Sequence, residues 1–167
     1  MKNQHCQTDS WNKKKQTLLL LLVIFLGLSI RIYKLGIHNL WYDEFRSFIM
    51  SINFRLSESL LYIALLRFWI TCFGNSEFAM RSLSLIFGVS STLLIYSLGK
   101  LFFNKKTGLA SAFILSISPI HIWYSQEARA YTLSTFLVVS MVYLFILALR
   151  TKRIKFWASF IISSIFA

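Results

Sequence analysis

The amino-acid sequence predicts an all-α fold, a polytopic bundle of transmembrane helices. Of the 167 residues, 56% are apolar and only 14% are charged, whereas soluble domains carry about 25% charged residues. The apolar residues form continuous runs close to the ~20 residues that cross a bilayer as a helix. The basic residues behind the net charge of +12 stand in short clusters between these runs. This distribution is typical of the loops of a membrane protein. The sequence has no basic stripe on a soluble element, so nothing in it favours nucleic acid as a partner.

The apolar runs define the predicted elements in chain order. A polar tail of residues 1–16 precedes spans at about residues 17–33, 83–103, 107–124, 131–149 and 156–167. The first span reaches residue 33 provided that Arg31 snorkels to the surface, and the alternative is a secretory signal cleaved near Ser29. The run of residues 156–167 is too short to span a bilayer. We therefore expect residues 17–167 to be the N-terminal part of a longer membrane domain.

The segment Leu60–Phe73 is apolar but short, and it carries Arg67 at its middle. Centring Arg67 in the bilayer would cost on the order of 2.5–3.5 kcal/mol. If the segment does not span, one side of the membrane holds eleven basic residues and one acid, and the other holds seven basic residues and five acids. The positive-inside rule then places residues 1–16 in the cytoplasm. It predicts an outer loop of residues 36–80 in which Leu60–Phe73 is an interfacial helix.

The first outer loop contains two adjacent carboxylates, Asp43 and Glu44, flanked by Trp41, Tyr42 and Phe45. Burial near a membrane raises the pKa of a carboxylate unless a cation or metal compensates. Such a pair suits a general base that takes a proton from an acceptor hydroxyl or amine. The alternative is a solvated loop whose aromatic side chains anchor it at the interface.

The second outer stretch, Ser125–Ala130, contains Gln126, Glu127 and Arg129, more functional groups than a turn between two spans needs. We expect Arg129 to bind a phosphate through paired hydrogen bonds, and Glu127 to aid catalysis or hold a metal. The alternative is a local salt bridge between the two. Tyr131 would share a helix face with Glu127 if the next helix started early.

Two other positions bear on these outer loops. Arg81 either pairs with Glu77, four residues earlier, or supplies a second cation for a lipid phosphate. Pro119 cannot donate a hydrogen bond to the carbonyl of Leu115, so we expect it to kink the span of residues 107–124 near the second loop.

The order of these motifs resembles a known family. The stretches LWYDEFRS (Leu40–Ser47), FGNSEFAMRSLSLIFG (Phe73–Gly88) and LGKLFFNKKTGLASAFILSISPIHIWYSQEARAYTL (Leu98–Leu133) resemble the N-terminal part of polytopic GT-C type glycosyltransferases. The similarity is to family 39 and the RgtA/B/C/D-like enzymes, relatives of protein O-mannosyltransferases and lipid A aminoarabinose transferases. Members commonly carry Pro-Pro or His-Pro-Pro before the interfacial helix, where this chain has Ser57–Tyr62.

The resemblance implies an inverting transfer of a hexosyl or pentosyl group from a polyprenyl-phosphate donor. The acceptor would be a glycan, lipid or protein at the outer face of the bacterial plasma membrane. Asp43 matches the catalytic base, and Glu44 its neighbour that helps bind the acceptor. The expected donor- and phosphate-binding residues are Arg81, Gln126, Glu127, Arg129 and Tyr131. We expect the isolated fragment to be inactive, because the family's later spans are missing from it.

The sequence leaves alternatives open for the cofactor and for the class of function. No cofactor is implied with certainty: a divalent metal is compatible with the carboxylates, but His38 and His121 lack the fixed spacing of zinc ligands. The alternative function is a non-catalytic membrane component, such as a transporter or lipid-handling subunit. Transporters keep ionisable residues at mid-depth in their spans. Here residues 83–98 and 133–149 carry no charge, which favours chemistry at one membrane surface.

Overall fold

The protein is all-helical in the part that the computed structural model describes. This part comprises residues 2–53 and 59–167, with side chains from residue 14 onwards. It contains eight helices and no strand: α1 (Lys2–Ile32), α2 (Tyr42–Asn53), α3 (Leu60–Phe73), α4 (Glu77–Phe102), α5 (Lys105–Ile117), α6 (Pro119–Ser125), α7 (Tyr131–Thr151) and α8 (Ile154–Phe166). The predicted fold class, a helical membrane bundle, is confirmed.

Three of these helices are long and apolar enough to cross a membrane. They are the Lys14–Ile32 part of α1, together with α4 and α7. Helices α3 and α8 are apolar but shorter, with 14 and 13 residues. The chain is therefore a membrane protein, and the short α3 keeps the dimensions expected of a helix that does not span.

The predicted span of residues 107–124, which we expected Pro119 to kink, is broken into two helices in the structure. Helix α5 ends at Ile117, and α6 begins at Pro119 after Ser118 in an extended conformation (φ −63°, ψ 117°). The break follows from proline chemistry, because the ring disfavours helical geometry at the preceding residue and removes one N–H donor. At the start of a helix the missing donor costs nothing, which is why Pro119 opens α6.

The helices run up and down between two chemically different ends. We call the end that carries residues 33–47 and 125–131 the acidic end. The opposite end, with residues 14–16, 100–106 and 150–155, is the basic end. Lys15 lies beside Lys105 and Lys106 around one pocket, so the start of the first span and the α4–α5 turn share the basic end. Basic residues from separate parts of the sequence thus lie together at one end of the bundle.

Helix α3 packs against the first half of α4, at the acidic end. The indole N–H of Trp69 donates to the carbonyl of Ala79 at 2.9 Å. The hydroxyl of Tyr62 lies 3.1 Å from that of Ser84. Around these contacts a buried apolar cluster joins α3, α4, α7 and the turn before α7; its members are Tyr62, Ile63, Leu66, Met80, Leu83, Ala128 and Leu133. This core supports the acidic end from the interior of the bundle.

Arg31 is buried, so the condition under which the first span would reach residue 33 is not met, and α1 ends at Ile32. Its side chain is fully buried, and all five N–H donors of the guanidinium have acceptors. The acceptors are Ser125 Oγ (3.2 Å), the carbonyls of Gly27 (2.8 Å), Ser116 (3.1 Å) and Leu115 (3.2 Å), and His121 Nδ1 (2.8 Å). The break before Pro119 exposes the carbonyls of Leu115 and Ser116, and Arg31 supplies donors that the helix lacks there.

Candidate functional site

Helix α2 is fixed at its first turn by Glu44. One carboxylate oxygen of Glu44 accepts the backbone N–H of Trp41 at 3.0 Å, which is half of a capping box. The same carboxylate binds the guanidinium of Arg81 in α4 through two parallel hydrogen bonds, of 2.8 Å to Nε and 2.7 Å to Nη2. Both side chains are buried. A bidentate pair of this kind is directional as well as strong, so it sets the direction in which α2 leaves the bundle.

Arg81 has no donor left for a substrate. Besides the bonds to Glu44, its N–H groups donate to the carbonyls of Leu35 (2.8 Å), His38 (2.9 Å) and Asn39 (3.2 Å). Its ion-pair partner is therefore Glu44, across 37 residues of sequence, and not Glu77, four residues away. With all five donors engaged, the guanidinium has none to offer a lipid phosphate.

The turn of residues 126–130 rests directly on the start of α2. The backbone N–H of Ala128 donates to Glu44 Oε1 at 2.8 Å. Arg129 Nη1 donates to the backbone carbonyl of Asp43 at 3.3 Å. From α4, the hydroxyl of Ser84 donates to the carbonyl of Arg129 at 3.1 Å. The two stretches that were predicted to hold the site therefore meet at one surface.

Gln126 is held by the end of α1. Its side-chain amide donates to the carbonyls of Ile30 (3.4 Å), Arg31 (3.1 Å) and Tyr33 (3.0 Å). The last carbonyls of a helix have no partner within the helix, so Gln126 acts as a C-terminal cap supplied from another segment. This amide ties the turn to α1 in the same way as Ala128 and Arg129 tie it to α2.

The environment of Glu44 favours its ionised form. Burial raises the pKa of this carboxyl, but hydrogen bonds from Arg81, from the Ala128 N–H and from the Trp41 N–H lower the pKa by more. The net pKa lies below the ordinary value of 4.5. With both oxygens accepting two hydrogen bonds each, Glu44 has no free lone pair to take a proton from an acceptor.

A cavity of about 400 Å³ opens on one side of the turn. Glu127 lies in its wall together with Trp41 and Trp123, whose rings meet edge to face with centroids 6.4 Å apart. Burial raises the pKa of Glu127, and the negative charges of Glu44 and Asp43 raise it further. A hydrogen bond from Trp123 and the charge of Arg129 act in the opposite direction without cancelling the shift. We call this the aromatic cavity.

A second cavity, of about 220 Å³, lies on the other side of the turn. Its wall contains Arg129, Tyr131 and Arg46. The guanidinium of Arg129 lies 5.5 Å from the centroid of the Tyr131 ring. Because α7 begins only at Tyr131, Glu127 precedes the helix and does not share a face with it. We call this second cavity the basic cavity.

Asp43 lies in the first turn of α2, between Trp41 of the aromatic cavity and Arg46 of the basic cavity in the sequence. Its side chain is exposed, in contrast to the buried Glu44. Its negative charge raises the pKa of Glu127 in the wall of one cavity and of Arg129 in the wall of the other. The adjacent Asp-Glu pair thus divides into an exposed carboxylate and a buried, fully bonded one.

Among the side chains that the structure describes, no group of three or more His, Cys, Asp or Glu residues is placed to hold a metal ion. His121 is buried against Arg31, while His38 lines the aromatic cavity. Carboxylate oxygens of Asp43 and Glu127 remain as the potential ligands of a divalent cation.

Sequence reasoning missed Arg46 and the aromatic wall formed with Trp123. Arg46 follows Asp43 by three residues, a spacing that places both on one face of α2, and this signal could have identified it. Trp123 gave no separate signal, because an aromatic residue at a membrane surface is equally well explained as an interfacial anchor.

Comparison with known proteins gives one match. The family model described as dolichyl-phosphate-mannose-protein mannosyltransferase matches residues 57–167, about two thirds of the chain. The matched region contains Arg81 and the turn of residues 126–130, and it begins after Asp43 and Glu44. No curated protein and no solved structure matches the chain.

Proposed function

Because this chain belongs to the dolichyl-phosphate-mannose-protein mannosyltransferase family, we propose that the protein containing it transfers a hexosyl or pentosyl group from a polyprenyl-phosphate donor. The acceptor is a glycan, a lipid or a protein. One observation carries this proposal: Arg129 in the matched region donates to the backbone carbonyl of Asp43 at 3.3 Å. An exposed carboxylate and a cation that suits phosphate thus share one surface.

In the proposed mechanism Asp43 is the general base. A hydroxyl or amine of the acceptor attacks the anomeric carbon of the donor, and its proton passes to the Asp43 carboxylate. The bond between that carbon and the phosphate oxygen breaks, and the lipid phosphate leaves with the electron pair. Attack from the face opposite the leaving group inverts the configuration. Exposure of Asp43 supports this role, because the base must reach an acceptor that enters from outside.

Glu44 is a positioning residue in this proposal. Its carboxylate is engaged by Arg81 and by the N–H groups of Trp41 and Ala128. It therefore orients Asp43 and the 126–130 turn without touching the reacting atoms. Arg81 contributes to donor binding in the same indirect way, by holding Glu44. Glu44 and Arg81 therefore act by holding the site in its reactive geometry, and not by touching the substrates.

The donor residues lie around the turn. Arg129 neutralises charge on the leaving phosphate, and Tyr131 holds the guanidinium through its ring. Glu127 faces the aromatic cavity, where aromatic rings and a carboxylate suit the apolar faces and hydroxyls of a sugar. Gln126 fixes the turn against α1.

The acidic end is proposed to face outward from the bacterial plasma membrane, with the N-terminus in the cytoplasm. The concentration of Lys and Arg at the basic end supports this orientation through the positive-inside rule. At the membrane surface, the polar head of a lipid-linked donor lies at headgroup depth while its chain remains in the hydrocarbon.

The test is sugar transfer by the full-length protein carrying Asp43→Asn. This change removes the base but keeps the size of the side chain, so we expect kcat to fall by about 10²–10⁴-fold with unchanged membrane insertion. Glu77→Gln, which removes another carboxylate at the acidic end, is the matched control and should leave kcat within about twofold. Turnover by Asp43→Asn at the wild-type rate would reject Asp43 as the base.

A further inference from the structure

A cluster of lysines surrounds a pocket at the basic end, on the side of the membrane away from the 126–130 turn. Lys15 of α1 and Lys105 and Lys106 of α5 line this pocket, which has a volume of about 200 Å³. The three ammonium groups come from two distant parts of the sequence. No carboxylate lines the pocket among the side chains that the structure describes. We call it the lysine pocket.

The wall of the lysine pocket is charged at one level and apolar at the next. On α1, Leu19 follows Lys15 by four residues, and on α5, Leu109 follows Lys105 by four residues; all four side chains line the pocket. Residues four apart lie on one face of a helix, about 6 Å apart along its axis. Both helices run from the basic end into the bundle, so each places its leucine deeper than its lysine. The pocket therefore matches an amphiphile with an anionic head.

The α4–α5 turn holds the backbone of two of these lysines in place. The side chain of Asn104 caps α5 by accepting the N–H of Thr107 at 3.0 Å. Beside the turn the two helices cross at glycines, so closely that a Cβ on Gly99 would lie 2.8 Å from the Cα of Gly108. Tyr96, three residues before this crossing, lines the pocket. The pocket is therefore preformed, which lowers the entropic cost of binding a ligand.

The lysines have no stabilising role within the described part of the chain that would explain their convergence. None of the three forms an ion pair with a described carboxylate. Lys105 and Lys106 stand in the first turn of α5, where the helix dipole disfavours positive charge. Lys105 is half-buried, and repulsion between like charges is stronger where water is partly excluded. An anion between the lysines would relieve this repulsion.

The depth of the lysine pocket distinguishes a lipid from a soluble anion. Helix α4 is long and apolar enough to cross the membrane, so its end at Phe102 lies near the membrane surface. Phe102 and Phe103 are both exposed, which is typical of a turn that remains in contact with lipid. The phosphates of phospholipids lie at this depth, with their acyl chains on the side where the two leucines of the pocket lie.

We propose that the lysine pocket binds an anionic phospholipid, with the phosphate between Lys15 and the Lys105–Lys106 pair. The glycerol and the start of an acyl chain lie against Leu19 and Leu109. The bound lipid connects α1 to the α4–α5 turn and offsets the repulsion among the lysines. The site is independent of the proposed sugar transfer; only its assignment to the cytoplasmic leaflet follows from the proposed orientation.

The test is binding of phosphatidylglycerol to the purified full-length protein in a neutral detergent, measured by native mass spectrometry. We expect Lys15→Gln to raise the Kd about fivefold, and the double variant Lys105→Gln/Lys106→Gln to raise it about 20- to 30-fold, because each lysine contributes separately to attraction of the phosphate. The double variant Lys105→Arg/Lys106→Arg keeps both charges and should bind as wild type does.

A control at the same end separates this site from the general charge of the surface. Lys152→Gln/Lys155→Gln removes the same charge from two exposed positions at the α7–α8 turn, and it should leave the Kd unchanged. An equal rise in the Kd of this control would show that the lipid follows surface charge and not the lysine pocket. Wild-type affinity in Lys105→Gln/Lys106→Gln would overturn the proposal outright.

Competition experiments separate the charge of the ligand from its lipid part. We expect phosphatidylcholine with the same acyl chains and inorganic phosphate each to compete more weakly than phosphatidylglycerol, by about tenfold or more. Equal competition by phosphatidylcholine would reject selection of the anion by the lysines. Equal competition by inorganic phosphate would reject the contact with the glycerol and acyl chain, and with it the assignment to a lipid.

Discussion

Glu44 and Arg81 show how a buried ion pair becomes a framework for a surface site. The two groups bind each other, and their remaining hydrogen bonds go to backbone atoms of two other segments, residues 35–41 and the 126–130 turn. Removing one partner of a buried pair leaves an uncompensated charge, which costs more than the pair itself contributes. The organisation of the acidic end therefore depends strongly on either residue.

Glu44→Gln is expected to destabilise the protein by about 3 kcal/mol at neutral pH, because Arg81 stays buried without a counterion. The measurement is the free energy of unfolding by denaturant titration in detergent micelles. Glu77→Gln is the control; it removes a carboxylate from the first turn of α4, worth about 0.3–1 kcal/mol through the helix dipole. A larger loss in Glu77→Gln would identify Glu77 as the true partner of Arg81.

The difference in the free energy of unfolding between wild type and Glu44→Gln depends on pH, and the pKa of Glu44 determines its direction. The pKa of Glu44 is lowered in the folded protein, so its contribution to stability is present above the ordinary pKa of 4.5 and is lost as the pH falls through the folded value. The difference between wild type and Glu44→Gln should therefore be full at pH 7 and shrink below pH 4.5. A difference that grows on acidification would contradict the assignment.

At this scale the sequence pointed to residues that the structure brings together at the acidic end, but not to how they pair. The pairing of Glu44 with Arg81 joins residues far apart in sequence, whereas the i,i+4 rule pointed to Glu77. That rule describes pairs on the surface of one helix. Here Arg81 instead makes a buried bidentate contact with Glu44, which the 126–130 turn completes. Burial also separated Asp43 from Glu44, a difference that adjacency in sequence cannot reveal.

At the scale of elements, the α5–α6 break is a structural junction. Pro119 interrupts the helix, Arg31 from α1 binds the carbonyls of Leu115 and Ser116, and the side chain of Gln126 returns to the end of α1. Three segments are thus connected through groups that a continuous helix would have used internally. The junction supports the 126–130 turn from the α1 side.

Arg31→Met is expected to cost about 2–4 kcal/mol in the free energy of unfolding, because it removes the donors to the carbonyls of Ser116 and Leu115 and leaves the second with only the Ser118 N–H, at 3.4 Å. Denaturant titration in micelles measures the loss. Pro119→Ala should relieve part of it in the double variant, since replacing the proline restores a backbone N–H that can donate to the carbonyl of Leu115. A double-mutant cycle with strictly additive losses would show that Arg31 does not serve the break.

The proline was visible in the sequence, but its consequence was only half predictable. The kink near Pro119 was expected, whereas a complete break followed because Arg31 makes it energetically acceptable. Snorkelling of Arg31 was the condition for extending the first span to residue 33, because a charge near a span end usually reaches water. Instead, the guanidinium of Arg31 binds five acceptors in the interior. Four of them belong to residues far away in the sequence, so no local pattern predicts them.

At the scale of the whole molecule, the asymmetry of charge fits the alternation of the helices. The start of the first span and the α4–α5 turn share the basic end, while α2 and the 126–130 turn share the acidic end. This division was predictable from the sequence, because every span reverses the side of the chain and basic clusters identify one side. The meeting of two particular loops on that side required the structure.

Membrane orientation is tested by labelling intact cells with an impermeant maleimide after Cys6 and Cys72 are replaced by Ser. We expect labelling of Ile37→Cys at the acidic end and protection of Phe103→Cys and Ile154→Cys at the basic end; all three positions are exposed. Cell lysis should make the protected positions reactive. Labelling of the basic-end positions alone would reverse the proposed orientation.

The most direct measurement of the central claim is cross-linking of Asp43→Cys with Arg129→Cys in the same cysteine-replaced background. Because Arg129 reaches the backbone carbonyl of Asp43, a short flexible bifunctional thiol reagent should join the two within one chain. The control pair, Asp43→Cys with Phe103→Cys, is separated by the length of α4, 26 residues or roughly 40 Å, and should remain unlinked. Failure of the first pair to cross-link, with both thiols reactive, would contradict a site shared by the two loops.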